Sequence, residues 1–250
     1  TFDKHTFMIE EHHIMGRIST RVTLVCAMAL VVMLRADSFA ARKDVTTSSR
    51  IDKIALDPER GTPEAVTGEF RLAAPASFEA AAVEFIGSRP DLFHIQDAKN
   101  ELTVLRKESD QLGNTHVRLD QVYQGLKVWG CQKVVHFRDA NTIYLVAGQT
   151  IPTPAVNTSP KVTSASARTS ALNAVQSFTG AEPVRTTPEL MIYPDKGSNK
   201  LVWHVLVQGV KSPIIKWRVF VDAVTGAVIN QYNDIKEDGP TVSTGIGVGH

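Results

Sequence analysis

Two kinds of hydrophobic pattern alternate along the chain, and the pair occurs twice. In SFEAAAVEFIGSRPDLF, Phe78, Ala82, Phe85 and Ile86 recur at the i, i+4, i+7, i+8 spacing of a single helix face. Ser77 stands where its hydroxyl can cap that helix, and Pro90 closes it near Arg89. Strand patterns follow in ELTVLRKES, GNTHVRLDQVYQG, LKVWGCQKVVHF and NTIYLVAGQ. In the second of these, Val117, Leu119 and Gln121 share one face, and His116, Arg118 and Asp120 share the other. Bends at Tyr123-Gln124-Gly125 and Asp139-Ala140-Asn141 join neighbouring strands. The stretch Ile151 to Pro160 then carries three prolines and no periodicity, so it reads as a stiff connector. Beyond it the helix pattern returns at Ala167, Ala171, Val175 and Phe178, followed by strand patterns in ELMIYP, KLVWHVLVQG, IIKWRVFVD and AVINQY. Asp222 to Gly226 closes the last hairpin, with side chains that bond local backbone and a glycine free to take positive φ.

A helix laid on one face of an antiparallel meander, twice over, is an α+β architecture. The expected units are residues 65–150 and 161–235, joined by a linker at 151–160 and preceded by a polar, loosely ordered lead-in at 41–64. One strand is expected near GEFRL, and the helix anchors are Phe85, Ile86, Val175 and Phe178. Trp203 and Trp217 should lie on neighbouring strands of the second unit and Trp129 in the first.

Residues 1–40 read differently. Arg17 and Arg21 precede the apolar run Val22 to Leu34, and Ser38-Phe39-Ala40 places small residues three and one before a cut between Ala40 and Ala41. That is the layout of a secretory signal peptide of the general export pathway, and the run falls short of the roughly 20 residues that span a bilayer. The expected destination is extracellular or periplasmic, with residues 1–14 upstream of the native start and no stable membrane association.

The composition is that of an ordinary globular chain, 43% hydrophobic and 21% charged, with a net charge of +1. That balance gives no reason to expect nucleic acid as a partner. Removal of the signal leaves one cysteine, Cys131, which cannot form an internal disulfide and reads as a small packed residue. His136, five residues on, points away from it on a continuous strand. No histidine is followed by glutamate, so the H-E-x-x-H zinc helix is missing, as are G-x-S-x-G and the P-loop. His94, His116, His136 and His204 are scattered singly and read as solvated or hydrogen-bonded residues. The residues themselves therefore point to a binding or folding module with no catalytic residues, no metal ligands and no cofactor.

A family likeness sits on the two strand runs. GNTHVRLDQVYQGLKVWGCQKVVHF resembles the core of the FTP domain, the first half of the propeptide of thermolysin-like zinc metallopeptidases. The matching positions include His116, Arg118, Tyr123, Gly125, Gly130 and His136. LVWHVLVQG with WRVFVDAVTGAVINQYNDI is similar to the PepSY domain, the second half of the same propeptide, through Trp217, Asp222, Thr225 and Gly226. Cys131 departs from the small residue more usual in the family, a change among small side chains. The resemblance implies cystatin-like modules and a propeptide that assists folding of a peptidase domain and inhibits it, in cis before cleavage and non-covalently afterwards. Zinc, with calcium, would belong to that domain and not to this chain. Residues 236–250, with STGIGVGH, look like a processing junction and the start of the peptidase. The junction is expected within Asn233, Asp234, Ile235, Lys236, Glu237, Asp238, Gly239, Pro240, Thr241, Val242 and Ser243, a polar stretch with a Gly-Pro step that cannot continue a strand. Two alternatives stay open: a stand-alone secreted inhibitor or chaperone built from the same modules, and a cystatin-like envelope binding protein.

Overall fold

The computed structural model describes residues 46–179, 185–195, 198–209 and 215–235. The expected cut between Ala40 and Ala41, Lys236 to Ser243 of the expected junction and the remainder of the tail lie outside those residues, as does the side chain of Phe178.

The fold is mostly β-sheet with few helices. The first part runs β1 (Thr46–Leu56), β2 (Pro63–Leu72), α1 (Phe78–Gly87), α2 (Pro90–Phe93), α3 (Ala98–Glu101), β3 (Leu102–Ser109), β4 (Thr115–Tyr123), β5 (Leu126–Asp139) and β6 (Thr142–Ala147). The second runs α4 (Ser164–Thr179), β7 (Arg185–Asp195), β8 (Ser198–Gly209), β9 (Ile215–Asp222) and β10 (Val228–Asn233). Strand order in the first sheet is β1-β2-β6-β5-β4-β3, all antiparallel, and in the second β7-β8-β9-β10.

Helix α1 begins as expected: the Ala80 N–H donates to Ser77 Oγ at 3.1 Å. Its buried residues Ala81, Ala82, Phe85 and Ile86 face Phe70, Phe93, Val117, Leu119, Val135, Phe137 and Ile143 in one core. Phe85 meets the Phe70 ring edge-on at 4.9 Å between centroids. The helix ends at Gly87, and Pro90 opens a separate short turn instead of merely ending the first, because a proline suits a first helical position. Helix α4 presents Ala167, Ala171 and Val175 to Val205, Trp217, Val219 and Val221 of β8 and β9. Its small residues let the helix axis lie close to the sheet. Trp203 and Trp217 do stand on the neighbouring strands β8 and β9.

One expectation needs correction, and two further contacts shape the fold. The lead-in is not loosely ordered from residue 46 onward: β1 pairs with β2 along its length, Ile54 opposite Val66. As an edge strand, β1 buries none of its residues fully, so no apolar alternation marks it in the sequence. The proline-rich connector is also tied to the first sheet. Gln121, on the apolar face by alternation, is fully buried and bonds the Ile151 backbone in both directions, Nε2 to O at 2.8 Å and N to Oε1 at 2.9 Å. Such a buried amide needs its partners, which pins residue 151 to β4. Finally, the two sheets touch. Residues Val128 to Cys131 bulge out of the β4–β5 ladder between the pairs Val122–Lys127 and Asp120–Gln132, and there Val128 pairs in parallel with Ile192 of β7. Gly130 takes φ +68° inside the bulge.

The two longer helices, α1 and α4, each pack on one face of their sheet. No helix among the described residues is long and apolar enough to cross a membrane.

Candidate functional site

The faces opposite α1 and α4 carry polar and aromatic side chains. On β4 and β5, His116 and His136 are cross-strand partners with Nδ1 atoms 2.8 Å apart. They are a pair, not the scattered single residues expected, because the hairpin register brings positions twenty apart together. His116 Nε2 lies 3.2 Å from Asp110 Oδ2. Asp110 accepts only, so His116 carries a proton on Nε2, and one of the two Nδ1 atoms donates to the other. Burial, then the neighbouring His116 and Arg118, pushes the His136 pKa down to about 4. Hydrogen bonds from Asn114 hold the Asp110 carboxyl down at about 2. Tyr144 of β6 flanks His136, ring centroids 5.9 Å apart. Arg118 donates to Gln132 Oε1 at 3.3 Å, and Gln132 donates to Asp120 at 2.6 Å, continuing a polar ladder across the same face.

Other motif positions serve the chain path. Gln124 and Gly125 both take positive φ, +49° and +82°, the requirement of a two-residue hairpin turn of the I′ type. Tyr123 packs against the Val128, Cys131 and Ile151 cluster. Trp217 is buried under α4. Asp222 Oδ1 accepts from the N–H groups of Val224 and Thr225, both at 2.8 Å, and Gly226 takes φ +79°. Cys131 is buried, and that burial raises its thiol to about 11, which removes thiolate chemistry at neutral pH. Among the described residues no cluster of three or more histidine, cysteine, aspartate or glutamate side chains is placed to hold a metal ion.

What the sequence patterns missed is a cleft of about 580 Å³ where the two sheets join, lined among others by Arg118, Trp129, Glu189, Met191, His204 and Arg218. Trp129, carried by the β5 bulge, packs on His204 at 4.7 Å and meets Phe220 at 4.9 Å between centroids. The Arg218 guanidinium lies 5.3 Å from the Trp129 ring centre, within cation–π range. Burial, then Arg218, lowers the His204 pKa to about 4, so its Nε2 is free to accept from Arg218 Nη1 at 3.4 Å. Of the expected junction, Asn233, Asp234 and Ile235 are described, and Asp234 docks beside this cleft on Lys216 and Arg218.

Comparison with known proteins gives these residues a setting. The Fungalysin/Thermolysin Propeptide Motif matches residues 100–150, from the end of α3 to just past β6. The chain is 26% identical over 205 residues to the thermostable neutral protease NprT of Geobacillus stearothermophilus, covering 78% of this chain and 37% of that protein. It is 27% identical to the thermolysin of Alicyclobacillus acidocaldarius subsp. acidocaldarius, covering 72% of this chain and 34% of that protein. The bacillolysin of Bacillus subtilis (strain 168) is 28% identical, with 69% and 34% covered. The chain thus spans about a third of the length of these relatives. The Bacillus megaterium YpeB C-terminal domain superposes on 74% of the chain and 88% of that domain at 11% identity, with a TM-score of 0.35. On strands β3 to β6 the chain matches the propeptide motif of the fungalysin and thermolysin proteases, and over most of its length it resembles thermolysins and bacillolysins.

Proposed function

We propose that this chain is the pro-region of a secreted thermolysin-like zinc metalloendopeptidase, acting as intramolecular chaperone and inhibitor of the peptidase domain. The observation that carries the reading is the propeptide motif at residues 100–150 within a stretch that matches about a third of each of several proteases. In this reading residues 65–150 are the FTP module and 161–235 a PepSY-type module, both cystatin-like, and residues 15–40 direct export and are removed between Ala40 and Ala41. Zinc, with calcium, belongs to the peptidase domain beyond residue 250.

The physical logic is that of a preformed surface. A large catalytic domain folds slowly through states that expose apolar surface, and a template that binds its native form lowers that barrier. The faces opposite the helices, with the His116–His136 pair and the Trp129 cleft, offer hydrogen-bonding and aromatic groups already held in place. Such preorganisation cuts the ordering cost of binding.

The experiment extends the gene beyond codon 250, expresses the whole precursor, and sequences the amino terminus of the mature enzyme. The expected terminus falls within Asn233 to Ser243, and the separated chain, added back in trans, inhibits the mature enzyme and speeds its refolding. A reading frame that closes without an H-E-x-x-H helix would overturn the pro-region and favour the stand-alone inhibitor or chaperone.

A further inference from the structure

At the end of β10 the chain is held by four bonds within three residues. The Asp234 N–H donates to the Lys216 carbonyl at 2.6 Å, and the Ile235 N–H donates to Asn233 Oδ1 at 3.0 Å. The Asp234 carboxylate lies 3.1 Å from Lys216 Nζ and 2.9 Å from Arg218 Nε. Lys216 and Arg218 alternate on β9, so both side chains stand on the face opposite α4. Arg218 is itself positioned, stacked over Trp129 at 5.3 Å and bonded to neutral His204 at 3.4 Å. Burial pushes the Asp234 carboxyl up, but the Lys216 hydrogen bond and the Arg218 charge outweigh it and hold it below the usual carboxylate range. An isolated surface ion pair contributes little. Here one carboxylate meets two cations, and its own amide bonds the backbone of one of them, Lys216, so these contacts require the same geometry.

We propose that Lys216 and Arg218, the latter positioned by the Trp129 ring, form a carboxylate-docking site, filled in cis by Asp234, that anchors the departing chain and shields the bonds up to Ile235 from proteolysis. A protease must bind several residues in extended form around the bond it hydrolyses. Residues whose amides are bonded to β9 and to their own turn cannot enter such a cleft until the clamp opens. The proposal rests on the pro-region reading for its biological meaning, since it narrows the expected junction from residues 233–243 to the bonds after Ile235.

The test uses the full chain and an unrelated broad-specificity protease, proteinase K, with fragment ends read by intact mass. In the native chain the amino-terminal fragment should end after Ile235. In Asp234→Ala, cuts between Tyr232 and Ile235 should appear about tenfold faster, corresponding to about 1.4 kcal/mol of local opening. Asp234→Glu, which keeps the charge, should retain most of the protection, and Lys216→Gln should lose part of it. Raising NaCl to about 1 M, where the screening length is ~3 Å, should move the native chain toward Asp234→Ala. Amide exchange at Asp234 should accelerate in step, a readout that does not depend on the protease. Identical fragment ends and rates in native chain and Asp234→Ala would overturn the proposal. Because the protease is external, this outcome is separate from the pro-region reading: a failed clamp leaves that reading standing, and a precursor without a peptidase leaves the clamp standing.

Discussion

Acid should unfold this chain through two histidines. His136 and His204 are neutral in the fold, each with its pKa pushed from 6.5 down to about 4, chiefly by burial. The groups facing them deepen the effect: His116 and Arg118 oppose a charge on His136, and Arg218 opposes one on His204, with only Asp234 pulling the other way. Between pH 6.5 and 4 the unfolded chain therefore binds more protons than the folded one, and stability falls as pH falls. The contribution is whole above pH 6.5 and gone below about 4. A pKa difference of that size corresponds to ~3.4 kcal/mol per ring if fully realised. Partial exposure, above all of His136, cuts this to about 1.5 kcal/mol each, ~3 kcal/mol for the pair. Carboxylates with lowered pKa, such as Asp110 at about 2, give stability that is lost only as pH falls through their own lower values, so the two windows are separable. The assay is urea unfolding followed by tryptophan fluorescence at steps from pH 7.5 to 4.5. The native chain should lose ~2–3 kcal/mol over that range, and the double variant His136→Gln, His204→Gln under about 1 kcal/mol. Equal slopes in the two proteins would refute the assignment of neutral, buried rings.

Three further outcomes are expected. Phe85→Ala removes a fully buried ring that touches Phe70 and Phe93 and should cost ~3–5 kcal/mol by urea unfolding, without changing the face of α1 that is protected from exchange. Gly148→Ala should cost at least ~2 kcal/mol, since residue 148 takes φ +103° and an added Cβ would collide with the Gln132 carbonyl. Lys133 is buried, with Nζ donating to the carbonyls of Pro63 and Gly148, and burial lowers its pKa to about 8. Because the fold then binds fewer protons than the unfolded chain between pH 8 and 10.5, stability should rise across that window by up to ~3 kcal/mol in the native chain, and the rise should vanish in Lys133→Met.

How much of this could be read beforehand depends on what each pattern encodes. Period and face were legible: Val117, Leu119 and Gln121 are buried together, and His116, Arg118 and Asp120 share the other side. The turn at Asp222 to Gly226 was legible because its side chains and its glycine act on their own backbone. Strand β1 was not, since a strand that buries nothing fully leaves no alternation to detect. The His116–His136 contact was one step out of reach, because a face assignment says which way a side chain points and not which residue lies opposite it. That needs the register, which the turn at Gln124-Gly125 and the bulge at Val128 to Cys131 fix together. The cleft was further out still. Trp129 reaches His204 and Phe220 only because a bulge breaks the ladder of the first sheet, and a single positive-φ glycine in an otherwise ordinary strand pattern is a faint signal for that.

The division of labour among the recognised positions follows from the same geometry. Gly125, Asp222 and Gly226 shape turns, while Trp217 and Tyr123 fill cores, so their chemistry is spent on the fold. The groups left able to meet another molecule, or the chain's own continuation, are His116 and His136 on one sheet and Trp129, Arg218 and Asp234 at the seam. Among the described residues one ladder pair, Val128 with Ile192, ties β5 to β7, and the Trp129 cluster joins the buried cluster of Val128, Cys131, Ile192 and Leu201 in fixing the second sheet against the first. Arg218 belongs to the Trp129 cluster and to the Asp234 clamp at once. Opening the clamp therefore removes the counter-charge from an arginine stacked on the seam, and the end of the chain and the junction of the sheets become parts of one electrostatic unit.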